Sequence, residues 1–321
     1  MSKIVIINTG GTISMAVDQE SGVVKSQVHH PLHQIMPHLK PYGNIEMDDF
    51  LSLPSPHMTP EHMLRLALKI ENLLQQEEVK GLVITHGTDT LEETAYLLDL
   101  VIHSSKPVIV TGAMKSSNEL GADGPANLVS SVRVAANQES CDRGVLVVLN
   151  EEIHAARYVS KTHANNTATF QSPGYGPVGL LTKKSIHYLS APLPRMHFPI
   201  QQIQSNVPLI KVVSGMKPEW ITYLLGSEID GVVIEAFGAG NVPPLIVPVI
   251  QELINLNKPV VLVSRSSRGF VEDLYGYEGG GHQLSQIGVI FAGGMSGPKA
   301  RLKLMVALET TRELSILEQL F

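Results

Sequence analysis

The chain has 321 residues, 43% of them hydrophobic and 17% charged, with a net charge of −6. At about 150 residues per domain this is length for two domains, each able to bury its own core. The acidic balance and the lack of any basic cluster exclude a nucleic-acid footprint, and the single cysteine, Cys141, excludes an internal disulfide and any paired-cysteine metal motif.

No uninterrupted apolar run reaches the length of a membrane span. The opening Met-Ser-Lys runs straight into a strand pattern without the regions of a signal peptide, so the cytoplasm is the expected compartment. The first strand is predicted from Ile4 to Ile7. It ends in Asn8-Thr9-Gly10-Gly11-Thr12-Ile13-Ser14, where two glycines permit a sharp turn and a close backbone approach. A helix is predicted to open at Thr59-Pro60-Glu61, with Thr59 as N-cap and Pro60 in the first turn. Its apolar positions Met63, Leu66, Ile70 and Leu73 recur at helical spacing. A second strand, Gly81-Leu82-Val83-Ile84, ends in Thr85-His86-Gly87-Thr88-Asp89-Thr90. A third, Pro107-Val108-Ile109-Val110, ends in Thr111-Gly112-Ala113-Met114. Helices are expected near 90–102 and 123–137, and a strand at 144–149.

Residues 191–208 carry Pro192, Pro194, Pro199 and Pro208 without a period and read as a linker. Beyond it, strands are predicted at 209–213, 231–235, 259–263 and 288–291, with helices near 217–225, 244–256 and 298–310. Short, nearly continuous apolar runs alternating with helical patterns argue an α/β fold with parallel sheets. In such sheets ligands bind beyond the carboxyl ends of the strands. Three polar turns at three such ends therefore suggest one shared pocket.

Each candidate has a plain alternative. Thr12 is either a turn threonine or a nucleophile held where backbone amides converge, and a threonine hydroxyl needs an activating neighbour. Asp89 and Glu92 fit a variant capping box, yet Asp89 retains an oxygen for a ligand amine. Thr88 offers a hydroxyl to the same pocket. Lys161, in Val159-Ser160-Lys161-Thr162, is a surface lysine unless the fold sets it beside Thr88 and Asp89, where its charge would ease proton removal. Gly238-Ala239-Gly240 lacks the third glycine of a dinucleotide fingerprint, and the Gly10-Gly11 turn lacks the lysine of a P-loop. His29, His30 and His33 lack the glutamate of a zincin motif, so no metal is expected. Asn165-Asn166-Thr167 matches a glycosylation acceptor, without meaning in a cytoplasmic protein.

Taken in order, these motifs resemble the bacterial-type L-asparaginase/glutaminase family. The resembling residues are Thr9-Gly10-Gly11-Thr12-Ile13, His86-Gly87-Thr88-Asp89-Thr90, Thr111-Gly112-Ala113-Met114, Ala122-Asp123-Gly124-Pro125-Ala126-Asn127-Leu128, Lys161-Thr162, Gly238-Ala239-Gly240-Asn241 and Lys299-Ala300-Arg301. The resemblance implies two α/β domains. The larger, at 1–190, has a parallel or mixed sheet sandwiched by helices; the smaller, at 209–321, completes a neighbour's site. It implies a homotetramer of two intimate dimers and no cofactor. By position, Thr12 matches the nucleophile, and Thr88, Asp89 and Lys161 match a second polar triad. Asp89 matches the group holding the substrate α-ammonium and Ser55 the one binding the α-carboxylate. Gly11 lies among the backbone amides of the oxyanion site, and Ala113 offers a carbonyl to the amide NH2. Asn241 and Glu278 match contributions from the partner subunit. The implied reaction is hydrolysis of L-asparagine to L-aspartate and ammonia through a threonyl ester. A glutaminase, a broader amidohydrolase and a catalytically silent amino-acid sensor are the alternatives.

Two departures stand out. Residues 13 to 41 contain no tyrosine, although the family sets one on the loop after the Gly-Gly-Thr turn; Val23 or Val24 stands in its place. Tyr275 or Tyr277, offered by a neighbouring subunit, is the candidate replacement. Pro56 stands where many relatives have a hydrogen-bonding side chain, and it has neither a side-chain donor nor an N–H. Recognition of the α-carboxylate is then either weaker or rebuilt around Ser55 and His57.

Overall fold

The computed structural model describes residues 2–18, 21, 23–26 and 35–321. The chain divides into two compact units, Met1–His197 and Phe198–Phe321.

The first unit contains, in order, β1 (Lys3–Asn8), β2 (Met15–Val17), β3 (Val24–Ser26), α1 (Met36–Leu39), β4 (Asn44–Asp49), α2 (Pro60–Leu74), β5 (Val79–Thr85), α3 (Leu91–Val101), β6 (Val108–Thr111), α4 (Gly124–Ala135), β7 (Val145–Leu149), β8 (Glu152–Ala155), β9 (Ser160–Lys161), β10 (Phe170–Gln171), β11 (Gly179–Leu181) and β12 (Ile186–Tyr188). Eight strands form one sheet in the order β12-β11-β8-β7-β6-β5-β1-β4. Strands β4, β1, β5, β6 and β7 run parallel, while β8, β11 and β12 join antiparallel. The sheet is therefore mixed rather than purely parallel. Its reversal begins at Asn150 and Glu151, both at positive φ (51° and 62°), between β7 and β8. Two such residues make the tight turn whose twist suits a hairpin. Two more short ribbons, β2 with β3 and β9 with β10, stand apart from the sheet.

The central strands are apolar because both faces are covered: Ile4 to Ile7, Leu82 to Ile84 and Val108 to Val110 are all buried. Each such side chain contributes about 1.5–3 kcal/mol relative to exposure. Helix α2 buries Met63, Leu66, Ile70 and, in place of Leu73, Leu74. Thr59 caps it as expected, and His62 completes a capping box by accepting the Thr59 N–H. Strand β4, Asn-Ile-Glu-Met-Asp-Asp, was not foreseen. It is an edge strand exposed along much of its length, so it carries charge where inner strands cannot.

The second unit contains β13 (Leu209–Lys211), β14 (Val232–Ala236), α5 (Val247–Asn255), β15 (Val260–Ser264), α6 (Gly281–Gln286), β16 (Ile290–Phe291), α7 (Gly297–Leu308) and α8 (Leu314–Leu320). Its four strands are parallel in the order β13-β14-β15-β16. The helix expected at 217–225 is instead two short 3-10 turns, Pro218–Trp220 and Thr222–Leu225. Ile221 between them takes a non-helical φ of −127°. The helix expected from 244 starts regular α geometry only at Val247, after a 3-10 turn at Pro244–Ile246. Pro244 disfavours helical backbone at the residue before it, and Pro243 is accordingly extended, with ψ of 132°.

Candidate active site

The first turn is built around Asn8. Its Oδ1 accepts from the Gly10 N–H (3.1 Å), the Ser14 hydroxyl (3.0 Å) and the Thr85 hydroxyl (3.0 Å), while its Nδ2 donates to Asp49 Oδ1 (3.1 Å). One buried amide thereby ties the end of β1 to β4, to β5 and to the turn itself. Gly10 and Gly11 take φ of 104° and 83°, which side chains resist. They deliver the chain into a 3-10 turn, Thr12–Ser14. Thr12 is half-buried there.

The second turn lies directly against the first. A Cβ on Gly11 would sit 2.3 Å from Gly87 Cα and N, and one on Gly87 would sit 2.7 Å from Ser55 Cβ. Contact this close between three segments requires glycine at both positions. His86 shapes the turn from beneath. Its Nδ1–H donates to the Gly87 carbonyl (2.7 Å), so its Nε2 accepts from the Thr94 hydroxyl (2.9 Å). Burial lowers its pKa to about 4, so the ring is neutral at physiological pH. The Ser55 hydroxyl accepts the Asp89 N–H (3.1 Å), and the Ser55 carbonyl accepts the Thr90 hydroxyl (2.8 Å).

Lys161 arrives from β9. Its Nζ donates to Thr88 Oγ1 at 3.0 Å and to Asp89 Oδ1 at 2.7 Å. The ammonium side chain is 16% exposed and the carboxylate 59%, so Asp89 faces outward beside a largely covered cation. The capping box expected from Asp89 and Glu92 does not form. Thr90 is the N-cap of α3, without a side-chain cap bond, and Glu92 Oε2 instead accepts the Lys161 N–H at 3.0 Å. One oxygen of each carboxylate of the supposed box is therefore engaged by Lys161.

The third turn is fastened by Asp123 at the start of α4. Its carboxylate accepts from the Met114 and Lys115 N–H groups (3.0 and 2.9 Å) and from Asn127 Nδ2 (3.1 Å). Asn127 Nδ2 also donates to the Gly112 carbonyl (3.0 Å). A Cβ on Gly112 would meet the His86 carbonyl at 2.6 Å, and one on Gly124 would meet Ile13 Cγ1 at 3.0 Å and Ala113 Cβ at 3.2 Å. Ala113 itself is buried.

Gly11, Thr12, Ser55, Thr88, Asp89, Ala113 and Lys161 thus belong to one locus of the first unit. Asn241 and Glu278 belong to the second. Asn241 exchanges backbone hydrogen bonds with Phe237, and its buried Oδ1 has no partner among the described residues. Glu278 is exposed, as are Tyr275 and Tyr277, whose ring centroids lie 5.5 Å apart. Sequence reasoning missed Asn8, His86, Asp123 and Asn127 as framework residues. The signal available was a polar residue at the last position of an apolar strand for Asn8, and a histidine inside a quoted turn for His86. Among the described residues no group of three or more His, Cys, Asp or Glu could hold a metal ion; His29, His30 and His33 lie outside the described residues. Among the described residues no helix is long and apolar enough to cross a membrane.

Comparison with known proteins agrees with this arrangement. Residues 3–194 match the family profile described as "Asparaginase, N-terminal", and residues 206–321 match "Glutaminase/Asparaginase C-terminal domain". A probable L-asparaginase of Deinococcus radiodurans is 37% identical across 96% of this chain and 93% of its own length. A glutaminase-asparaginase of Pseudomonas aeruginosa is 32% identical across 100% and 90%. The crystal structure of a probable cytoplasmic L-asparaginase from Campylobacter jejuni superposes with a TM-score of 0.88 at 31% identity, covering 100% of this chain and 99% of that one. Through both of its domains, the chain belongs to the asparaginase family of amidohydrolases.

Proposed function

We propose that this enzyme hydrolyses the side-chain amide of L-asparagine to L-aspartate and ammonia, with Thr12 as nucleophile. One observation carries the reading. Lys161 Nζ lies within 3.0 Å of Thr88 Oγ1 and 2.7 Å of Asp89 Oδ1, on a turn packed against the one that bears Thr12. In this reading Asp89 uses its outward-facing carboxylate to hold the substrate α-ammonium. Ser55 binds the α-carboxylate, and the Ala113 carbonyl receives the amide NH2.

The Thr12 oxygen attacks the amide carbon, and its proton passes to the leaving nitrogen. Backbone N–H groups near Gly11, Thr12 and Thr88 stabilise the oxyanion; such a donor is worth about 3–4 kcal/mol in other systems. The carbon–nitrogen bond breaks and ammonia leaves. Water then attacks the β-aspartyl ester, activated beside the Lys161–Thr88 pair, and releases aspartate and the free Thr12 hydroxyl. The electrostatics suit the task, since a covered cation next to a hydroxyl favours its deprotonated form.

In the same reading the enzyme is a homotetramer of two intimate dimers, and a neighbour's Asn241 and Glu278 complete each site. The unpartnered Asn241 Oδ1 and the exposure of Glu278, Tyr275 and Tyr277 support that assignment. The proposed compartment is the cytoplasm, the one named for the Campylobacter jejuni protein.

The test is ammonia release from L-asparagine, L-glutamine and D-asparagine by wild type and Thr12→Ala. Turnover of L-asparagine that Thr12→Ala abolishes supports the reading. Binding without turnover in the wild type would make the protein a sensor instead. A second reading, L-glutaminase, is favoured by the Pseudomonas aeruginosa relative, which is named glutaminase-asparaginase. The two substrates differ by one methylene, worth about 1–3 kcal/mol in a pocket, and the ratio of their kcat/KM values decides between them.

A further inference from the structure

Lys161 sits on a weak support. Strand β9 is two residues long and, among the described residues, pairs with the two-residue β10 alone, Lys161 opposite Phe170 and Ser160 opposite Gln171. A ribbon this short has little stability of its own. Its ammonium meets two acceptors at 3.0 and 2.7 Å; Glu92 holds the Lys161 N–H at 3.0 Å on the β9 side, and the β10 side needs a hold of its own.

The structure contains such a hold away from the substrate locus. The residue after β10, Ser172, meets the buried His154 ring of β8, with Oγ 2.9 Å from Nδ1. His154 Nε2 lies 3.1 Å from Glu152 Oε2, and Gln171 Nε2 donates to that same oxygen at 3.3 Å. A carboxylate only accepts, so Nε2–H donates to Glu152, and the Ser172 hydroxyl, able to donate or accept, serves Nδ1. Strand β8 is paired on both sides within the eight-stranded sheet. Ser172 and Gln171 are therefore fastened to a rigid strand by a partly buried, mutually supporting network centred on the buried His154.

We infer that Glu152, His154 and Ser172 are positioning residues for Lys161: they hold the β9–β10 ribbon to the sheet at the height where the ammonium reaches both Thr88 and Asp89. The inference rests on Lys161 acting in the proposed reaction. A misplacement of about 1 Å in a catalytic group costs on the order of a hundredfold in rate, so loosening this anchor acts on kcat more than on KM.

The experiment uses the full-length enzyme and L-asparagine. Ser172→Ala removes the hydroxyl that meets His154 Nδ1, and His154→Leu removes the ring. Ser172→Ala is expected to lower kcat about tenfold or more with little change in KM, and Ser172→Thr to restore most of it. In a Lys161→Ala background, Ser172→Ala is expected to cost nothing further, since the two act as one unit. A second readout is independent of turnover. Limited acetylation followed by mass spectrometry compares Lys161 with the exposed Lys183, and Ser172→Ala is expected to speed labelling of Lys161 alone. Unchanged kcat and unchanged Lys161 labelling in both Ser172→Ala and His154→Leu, with Lys161→Ala inactive, would overturn the inference and leave the catalytic reading intact. Equal losses from Ser172→Ala with and without Lys161 would reduce the network to general stability and also overturn it. Wild-type turnover by Lys161→Ala would sink the catalytic reading itself.

Discussion

His86 makes the protein acid-sensitive in a way that can be isolated. The ring is fully buried, and burial lowers its pKa from an ordinary 6.5 to about 4. In the unfolded chain it titrates near its ordinary value. Between those two pH values the unfolded state takes up a proton that the folded state refuses, so stability falls as pH drops. The contribution is fully present above pH 6.5, declines through the interval and is gone near pH 4. A difference of about 2.5 units corresponds to about 3 kcal/mol. His86→Asn retains an amide donor for the Gly87 carbonyl but does not titrate. At pH 7.5 it should be less stable than wild type, because the Thr94 hydroxyl loses its partner and a small void opens. The informative quantity is the gap between the two proteins, from urea unfolding at fixed protein concentration. That gap should close by about 3 kcal/mol from pH 7 to pH 4. Parallel profiles across that range would refute the reasoning, since they would mean that the folded ring takes up its proton as readily as the unfolded one.

Three further perturbations test the frame and the site. Gly11→Ala places a methyl 2.3 Å from the Gly87 backbone at a φ of 83°; it should separate the first two turns and lower kcat about a hundredfold or more, read by ammonia release beside a thermal melt. Asn8→Ala leaves three donors without their shared acceptor and should cost roughly 3 kcal/mol, read by urea unfolding. Tyr275→Phe and Tyr277→Phe test the replacement for the absent loop tyrosine: at least one should lower kcat with the melting temperature unchanged, and full activity in both singles and the double would remove these hydroxyls from the reaction.

Much of the fold was legible because its central strands are buried on both faces. Ile4 to Ile7 and Val108 to Val110 are apolar runs with polar turns at their carboxyl ends, and each became an inner strand. The reversal of the sheet was not legible. Its turn is Asn150-Glu151 rather than an Asn-Gly pair, and a glutamate at positive φ is not a turn signal that can be recognised in advance. Strand β4 was hidden by its charge, which an exposed edge tolerates. The apolar residues after Pro218 read as one helix where the chain forms two short 3-10 turns; at 244 only the first turn differs, and the helix follows at Val247–Asn255.

At the site, spacing made Gly10, Gly11, Thr12 and the Thr88-Asp89 pair visible, because turn chemistry is local. The reach of Lys161 to them was not, for 72 residues separate it from Asp89 and only the fold closes that distance. The capping reading of Asp89 and Glu92 failed for the same reason. Its two carboxylates were judged against their own helix, whereas the competing partner came from a distant ribbon. Asn8 and Asn127 were missed because a buried amide declares its role through several partners at once, and local ones such as Gly10 and Asp123 are joined by distant ones such as Thr85 and Gly112.

The central claim is that Thr12 carries the acyl group. Its most direct test is acid-quench mass spectrometry of wild type and Thr12→Ala during turnover of L-asparagine. The wild type should show an aspartyl adduct on the peptide containing Thr12, and the variant neither adduct nor ammonia. Ammonia released at the wild-type rate by Thr12→Ala, or an adduct found on another residue, would contradict it.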